Sequence, residues 1–317
     1  MADATRILFA TDLHGSSKCF RKFVNAAPIY RADVLVLGGD VAGKAIQTIV
    51  REPGGRWRCR FIGADYRVEE GADLEALERL IEDHGYYPYR AEPGEVEALQ
   101  AGGGFEMLFA GLMEKRLAAW LELADARLRP NGTPLFLMLG NDDPISLRPL
   151  LDAAPWGTHA EGRVVMIDER HEMISWGYSN ITPWQSHREQ TEEQLAAAIR
   201  EMAGNLVDPE RAIVNVHVPP YGTQLDDAPV LDADLRVVQV MGQVKFAPVG
   251  STAVRDFLLD WQPLLGLHGH IHESPGIRRL GRTIAINPGS DYATGALNGA
   301  LVTLKDGRVA AHQLVRG

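Results

Sequence analysis

Short apolar runs recur along this chain, and each ends at a small polar cluster. Ile7 to Ala10, Val34 to Leu37, Leu135 to Leu139, Ile213 to Val216 and Leu264 to Leu267 have the near-continuous hydrophobicity of strands covered on both faces. Between these runs the period changes. Cys19, Phe20, Phe23 and Val24 share one face of a helix predicted over Ser16 to Ala27. A second helix is predicted over Gln190 to Ala203, with Thr191 and Gln194 spaced as a capping box and Gly204-Asn205 as its stop. Ser251 is placed to cap a third, which Trp261-Gln262-Pro263 ends before the run leading to His268. Arg163 to Ile167 and Met173 to Tyr178 read as adjacent strands, and the tail from Gly276 to Leu314 as short strands joined by turns such as Asp306-Gly307. Strands alternating with helices predict a layered α/β fold whose strand ends open onto one crevice.

From about Ala45 to Pro134 this rhythm is interrupted, and a stretch so long is not a bare loop in a compact domain. Trp57 to Val68 has the pattern of a hairpin. Leu74, Leu77, Leu80 and Ile81 fall at helical spacing, and Phe105 to Leu128 reads as one or two longer helices. Gly102-Gly103-Gly104 between them is read as a turn. We expect one domain over residues 1–317, with residues 45–133 an inserted, mainly helical, cap-like segment over or beside the crevice; plain scaffold is the alternative.

The polar clusters carry the chemistry. They are Asp12-Leu13-His14, Gly39-Asp40, Gly140-Asn141-Asp142-Asp143, His217 and Gly269-His270-Ile271-His272. A carboxylate and an imidazole two residues apart beyond a strand lie on the same side of an extended backbone, so Asp12 and His14 can hold one ion, and His270 and His272 repeat the geometry. Alone, each motif is a common surface turn. Together they supply enough oxygen and nitrogen for two ions, and Asp40, with two carboxylate oxygens, suits the shared ligand that a dinuclear site needs. Asn141 adds an amide oxygen and His217 another imidazole.

The order D-x-H, G-D, G-N-x-D, H, G-H-x-H resembles that of the calcineurin-like metallophosphoesterase superfamily, over Asp12 to His272. The resemblance implies a four-layer α/β/β/α sandwich of two mixed sheets flanked by helices. It implies that Asp12, His14, Asp40 and His272 hold one ion and Asp40, Asn141, His217 and His270 the other. The cofactors it implies are two divalent or mixed-valence transition-metal ions, manganese, iron, zinc or cobalt, among which affinity order does not choose. The implied reaction is hydrolysis of phosphate esters, diesters above all, by in-line attack of a metal-bridging hydroxide. Two divalent ions, two carboxylates and one hydroxide leave roughly one positive charge, which favours a phosphate anion. A broad phosphomonoesterase and a noncatalytic metal-binding scaffold for protein partners are the alternatives.

One position departs from the family pattern. Where members commonly carry His after the Asn, this chain has Asp142. A carboxyl group there donates a proton to the leaving oxygen only if burial or nearby negative charge raises its pKa; otherwise it orders the loop or an outer water. Gly38 to Ala45 imitates the G-x-x-x-x-G-K phosphate loop, but Ala45 replaces the Ser or Thr that reaches magnesium. Lys44 remains a candidate contact to substrate phosphate, against an ordinary solvated lysine. His268 is read as a supporting residue, and Tyr86, Tyr87 and Tyr89 as packing around Pro88 rather than a stacking platform. Asn287-Pro288-Gly289-Ser290 is read as a tight turn shaping the backbone near the crevice.

Composition removes several other classes. At 45% hydrophobic and 23% charged the chain is ordinary for a globular protein, and no apolar run approaches the roughly 18 residues of a membrane helix. A formal charge of −10 opposes binding along an extended nucleic acid, so the expected partner is a small phosphate ester. The first strand begins within a few residues, so no cleavable leader is expected. Cys19 and Cys59 have no paired spacing and are expected to be reduced, which together with the rest predicts a cytoplasmic protein. Nothing in the sequence assigns an oligomeric partner.

Overall fold

A computed structural model describes residues 4–317. Two six-stranded mixed sheets face one another. In the first, the order in space is Arg308–Arg316, Asn298–Lys305, Thr5–Ala10, Val34–Leu37, Leu135–Leu137 and Thr158–His159. The last four run parallel, with Phe9 opposite Val36 and Val36 opposite Phe136. In the second, the order is Gly276–Leu280, Thr283–Asn287, Leu265–Leu267, Ile213–Val216, Glu172–Trp176 and Val164–Met166. Its inner four are parallel and its two edges antiparallel.

The two-residue period of a strand divides each sheet between two cores. Ile7, Phe9, Val34, Val36 and Phe136 meet Ile213, Leu265, Leu267 and Ile286 between the sheets. Their neighbours Leu8, Leu35, Leu37, Leu135 and Leu137 point outward onto α1 (Ser17–Tyr30), where Phe20 and Phe23 receive them. On the other side Ile174, Val214 and Val216 pack on α6 (Glu192–Ala203) and α7 (Thr252–Trp261). Burying each such side chain stabilises the fold by about 1.5–3 kcal/mol. This is the expected α/β/β/α sandwich.

Local signals set the helix boundaries as expected. Ser16 accepts from Cys19 N, Thr191 and Gln194 form the reciprocal capping box, and Ser251 accepts from Val254 N. α1 runs past its expected end at Ala27 to Arg31, whose left-handed backbone (φ 52°) closes it. Cys19 and Cys59 are buried free thiols. Among the described residues no helix is long and apolar enough to cross a membrane.

The interrupting segment divides in two. Ile46–Arg51, Trp57–Phe61, Ala64–Val68 and Tyr87–Ala91 form a four-stranded sheet. Its Ile49, Trp57, Cys59 and Phe61 pack with Leu74, Leu77 and Ile81 of α2 (Ala72–Asp83), a small core of its own. After α3 (Glu95–Ala101), the single helix α4 (Phe105–Leu128) lies along α1 and shares its core through Leu117, Trp120, Leu121 and Ala124. Trp120 stacks on Phe20 with ring centroids 4.4 Å apart. α4 and α5 (Arg148–Asp152) therefore belong to the sandwich's helical layer, and only the first half of the segment stands apart. A further excursion, Asp227–Pro248, is a β arm whose tip leaves Met241 fully exposed.

Candidate metal centre

The carboxyl ends of the parallel strands in both sheets meet at one crevice. Beyond Thr5–Ala10, Asp12 N donates to Gly39 O (3.0 Å) and His14 N to Asp40 O (2.9 Å), which zips the first two ligand loops together. Asp142 N donates to Asp40 Oδ1 (2.9 Å) and joins the third. The second sheet is tied in by His270 N, which donates to the Asp12 carboxylate at 3.0 and 3.1 Å, while Gly269 N donates to His217 O and joins the two ligand loops of that sheet.

All seven expected ligands converge. His14 Nε2 lies 3.6 Å from Asp40 Oδ2 and 3.1 Å from His272 Nε2. His272 Nε2 is 3.3 Å from Asp12 Oδ1, and His217 Nε2 is 3.3 Å from Asp40 Oδ2 and 3.7 Å from Asp12 Oδ1. His270 Nδ1 and Asn141 Oδ1 face each other at 2.8 Å. Three overlapping groups have donor atoms within 4.8 Å of one another: Asp12, His14 and His272; Asp12, Asp40 and His217; and His14, Asp40 and Asp142. Asp40 belongs to two of them, as a shared ligand should, and so do Asp12 and His14. Asp142 stands close enough to join the ligand set, a placement its position in sequence did not suggest.

The donor set fits cations on three observations. Asp12, His14, Asp40 and His270 all have positive φ, between 40° and 66°, where a side chain other than glycine is strained by about 1–3 kcal/mol. His217 Nδ1 donates to Gly38 O (2.8 Å), which fixes the ring and aims Nε2, buried without a hydrogen bond, at the two carboxylates. The third observation is a pair of buried carboxylates held in the charged form. Burial opposes charge on Asp12 and Asp40, yet His217 beside them holds both well below the usual carboxylate range. His217 is in turn held up to about 10 against its burial by Asp40 and Asp12, whereas burial keeps His14 at about 3 and His270 at about 4. Two buried carboxylates kept charged, beside His14 and His270 kept neutral with ring nitrogens able to donate, form a donor set that suits a cation, which would take the place of the proton on His217.

Several residues that sequence reading passed over position this set. Asp143, buried, accepts from Gly140 N (2.7 Å), Ala42 N (2.7 Å) and Val41 N (3.0 Å), so one carboxylate pins the Asp40 loop to the Asn141 loop. Arg188, also buried, donates to Gly140 O (3.0 Å), pairs with Glu161 and lies over the Tyr178 ring. Tyr292 sits 4.7 Å from the His14 ring. Asp143 closes the G-N-x-D motif, whereas Arg188 and Tyr292 have no spacing that marks them, because each meets the site across a large sequence separation. The Asn287 turn acts as expected: its side chain holds the Leu225 and Ile271 carbonyls, and Ser290 Oγ donates to Asp12 O (2.6 Å).

Other expectations resolve by placement. His268 Nδ1 donates to Val216 O (2.8 Å) and supports the loop without joining the ligands. Tyr87 is buried, its hydroxyl accepting from Gly43 N (2.9 Å), so it packs rather than stacks a ligand. A strand, not a helix, follows Lys44, so no helix N-terminus cradles a phosphate there. Lys44 Nζ instead pairs with Asp142 Oδ2 at 2.5 Å beside the ligands.

No family model matches the chain. It is 31% identical over 122 residues to the uncharacterized protein MJ1162 of Methanocaldococcus jannaschii, which covers 38% of this chain and 49% of that one, so the match spans about half the length of this relative. The crystal structure of TT1561 of Thermus thermophilus superposes over 99% of both chains with a TM-score of 0.55 at 14% identity, a shared fold. YfcE, a phosphoesterase from E. coli, aligns over 98% of each chain at 12% identity with a TM-score of 0.36. In its fold, and in the order and convergence of its motifs, the chain resembles the calcineurin-like metallophosphoesterase superfamily.

Proposed function

We propose that this protein is a metal-dependent hydrolase of phosphate esters, with diesters its preferred substrates. The observation that carries the reading is the convergence from both sheets of Asp12, His14, Asp40, His217 and His272 onto overlapping donor groups, two of which contain Asp40, with Asn141 and His270 facing each other beside them. What two divalent ions supply in such a site is Lewis acidity toward the phosphoryl oxygens and toward a water molecule. Manganese, iron, zinc and cobalt all suit these ligands.

The protein's own residues account for the rest of the reaction. Asp12 and Asp40 set the negative charge of the cradle, and His217, anchored on Gly38 O, turns its Nε2 toward both. At the rim, burial and Asp40 raise the pKa of Asp142 while Lys44 opposes the rise. A raised pKa is what a proton donor to the leaving oxygen needs, and the pairing with Lys44, which favours the charged carboxylate, works against it; we assign the donor role to Asp142 and attraction of the phosphate to Lys44. The diester preference draws support from a cavity of about 660 Å³ that opens beside this pair, far more room than a phosphate group fills. We extend the reading to a cytoplasmic enzyme acting on small esters rather than along nucleic acid, in keeping with the free thiols and the charge of −10.

The test is metal content by mass spectrometry, with hydrolysis of p-nitrophenyl phosphate and bis-p-nitrophenyl phosphate after reconstitution with each of the four metals. Two equivalents per chain and faster diester cleavage are expected. Faster monoester cleavage would make it a phosphomonoesterase. Two bound equivalents with no turnover of either ester would replace the enzyme by a metal-binding scaffold.

A further inference from the structure

The cavity beside the ligands is walled by two elements that the reaction does not use. One is the first half of α4, which contributes Phe109 and Met113, one helical turn apart. The other is the loop from Thr182 to Glu189, which contributes Trp184 and Ser186. Lys44 and Asp142 close its inner end, so the cavity runs from the metal ligands outward.

The loop is built rather than slack. The Glu189 carboxylate accepts from Thr182 N (3.1 Å), Thr182 Oγ1 (2.5 Å), Ser186 N (2.8 Å) and Ser186 Oγ (2.8 Å). Gln185 at its tip is held at φ 51°, a strained backbone for a side chain other than glycine. Two bonds fasten the loop to the ligand set: Asn141 Nδ2 donates to Ser186 Oγ (2.8 Å), and Arg188 N donates to Asn141 O (3.0 Å). What this scaffolding presents is Trp184, 62% exposed. A large aromatic face held in water by a strained, fully bonded loop has no packing role that accounts for it.

We infer that this cavity is a subsite for an aromatic or heteroaromatic organic group of the ester, stacked against Trp184 and flanked by Phe109 and Met113. The inference rests on the hydrolase reading for its phosphate end. Its volume of about 660 Å³ lies within the range of organic-ligand pockets and admits a group as large as a nucleoside. Uncharged rings suit the lining better than a second phosphate does, because Glu106 and Asp142 accompany Lys44 and His187 there.

The experiment is equilibrium binding of adenosine monophosphate and of methyl phosphate to the metal-loaded protein, by calorimetry and by tryptophan fluorescence. Hydrolysis of bis-p-nitrophenyl phosphate is followed in parallel. Adenosine monophosphate should bind at least tenfold more tightly than methyl phosphate. Trp184→Ala should erase about tenfold of that ratio, Phe109→Ala should reduce it, and Trp184→Phe should keep most of it. Trp184 lies at the surface, so its removal leaves the core intact. Equal affinity for the two probes, or a ratio unmoved in Trp184→Ala, overturns the subsite even if esters are hydrolysed. Selective binding through Trp184 without any hydrolysis sustains the subsite and sinks the hydrolase reading instead.

Discussion

A single methyl group at Gly140 should uncouple the metal centre, and the size of the effect follows from three distances. A Cβ built there would lie 2.1 Å from Asp40 Oδ1, 2.7 Å from Asp40 Cγ and 2.3 Å from Asp40 N, whereas ordinary contact begins at 3.4 Å. The carboxylate can rotate away but the backbone nitrogen cannot, so the Asp40 and Asn141 loops must part by about 1 Å. That movement stretches the bond from Asp142 N to Asp40 and those from Val41 and Ala42 to Asp143. Overpacking of this kind costs about 1–3 kcal/mol. The effect on metal is larger, because ligand distances tolerate only about 0.2 Å. Gly140→Ala should therefore lower the melting temperature by several degrees and bring metal content well below that of the parent after dialysis. Gly111→Ala is the matched control: it lies on an exposed turn of α4 with nothing within 4 Å, and should gain about 0.5–1 kcal/mol with metal content unchanged. A Gly140→Ala protein with parental metal content and melting temperature would refute the close approach of the two loops.

Three further outcomes separate roles within and around the site. Asp142→Asn should slow cleavage of alkyl esters more than of p-nitrophenyl esters, since only poor leaving groups need a proton; equal effects would remove Asp142 from proton transfer. Arg188→Ala leaves the Glu161 carboxylate buried without its partner and should destabilise by about 3–5 kcal/mol in urea unfolding, with Arg188→Met milder; a loss below about 1 kcal/mol would contradict the pairing. Asp168 is held below its usual range because donors from Thr5, Arg170 and His171 outweigh its burial. Its stabilisation is complete above the unfolded value of about 3.9 and is lost as pH falls through the folded pKa, so Asp168→Asn should flatten the acid limb of stability below about pH 4; an unchanged limb would exclude it.

Much of this centre was legible because its signals are local. A strand's period puts Ile7 and Phe9 on one face and Leu8 on the other, and the ligand that follows is one polar residue at the end of an apolar run. The hairpin over Trp57 to Val68 was legible for the same reason: Trp57, Cys59 and Phe61 are buried while Arg58 and Arg60 are exposed. The strand Tyr87–Ala91 was not, because it pairs in parallel with Ile46–Arg51 across an intervening helix and carries Pro88. The β arm over Asp227–Pro248 escaped notice because its strands are two or three residues long and half exposed, too short to show a period. α4 looked like part of a cap because neither its length nor its sequence says which neighbour receives its apolar side, and that neighbour is α1.

The residues that escaped detection share a physical reason. Asp143, Arg188 and Glu189 each satisfy several buried or turn-forming groups at once, and although Asp143 stands in the G-N-x-D motif, no residue's own identity tells which surrounding backbone groups it will hold. They are also what the strain requires. Asp12, His14, Asp40 and His270 occupy backbone conformations that the chain would not adopt unaided, and each sits where a loop is held from two sides. Asp143 braces Asp40 against Asn141, the Asp12 carboxylate braces His270, and Gly38 O braces His217. The ligands are thus braced by the protein's own bonds, and the energy that holds them comes from the apolar cores on either side of each sheet. The strained positions and the donor atoms coincide because the loops that aim these side chains into one crevice are the loops held from two sides.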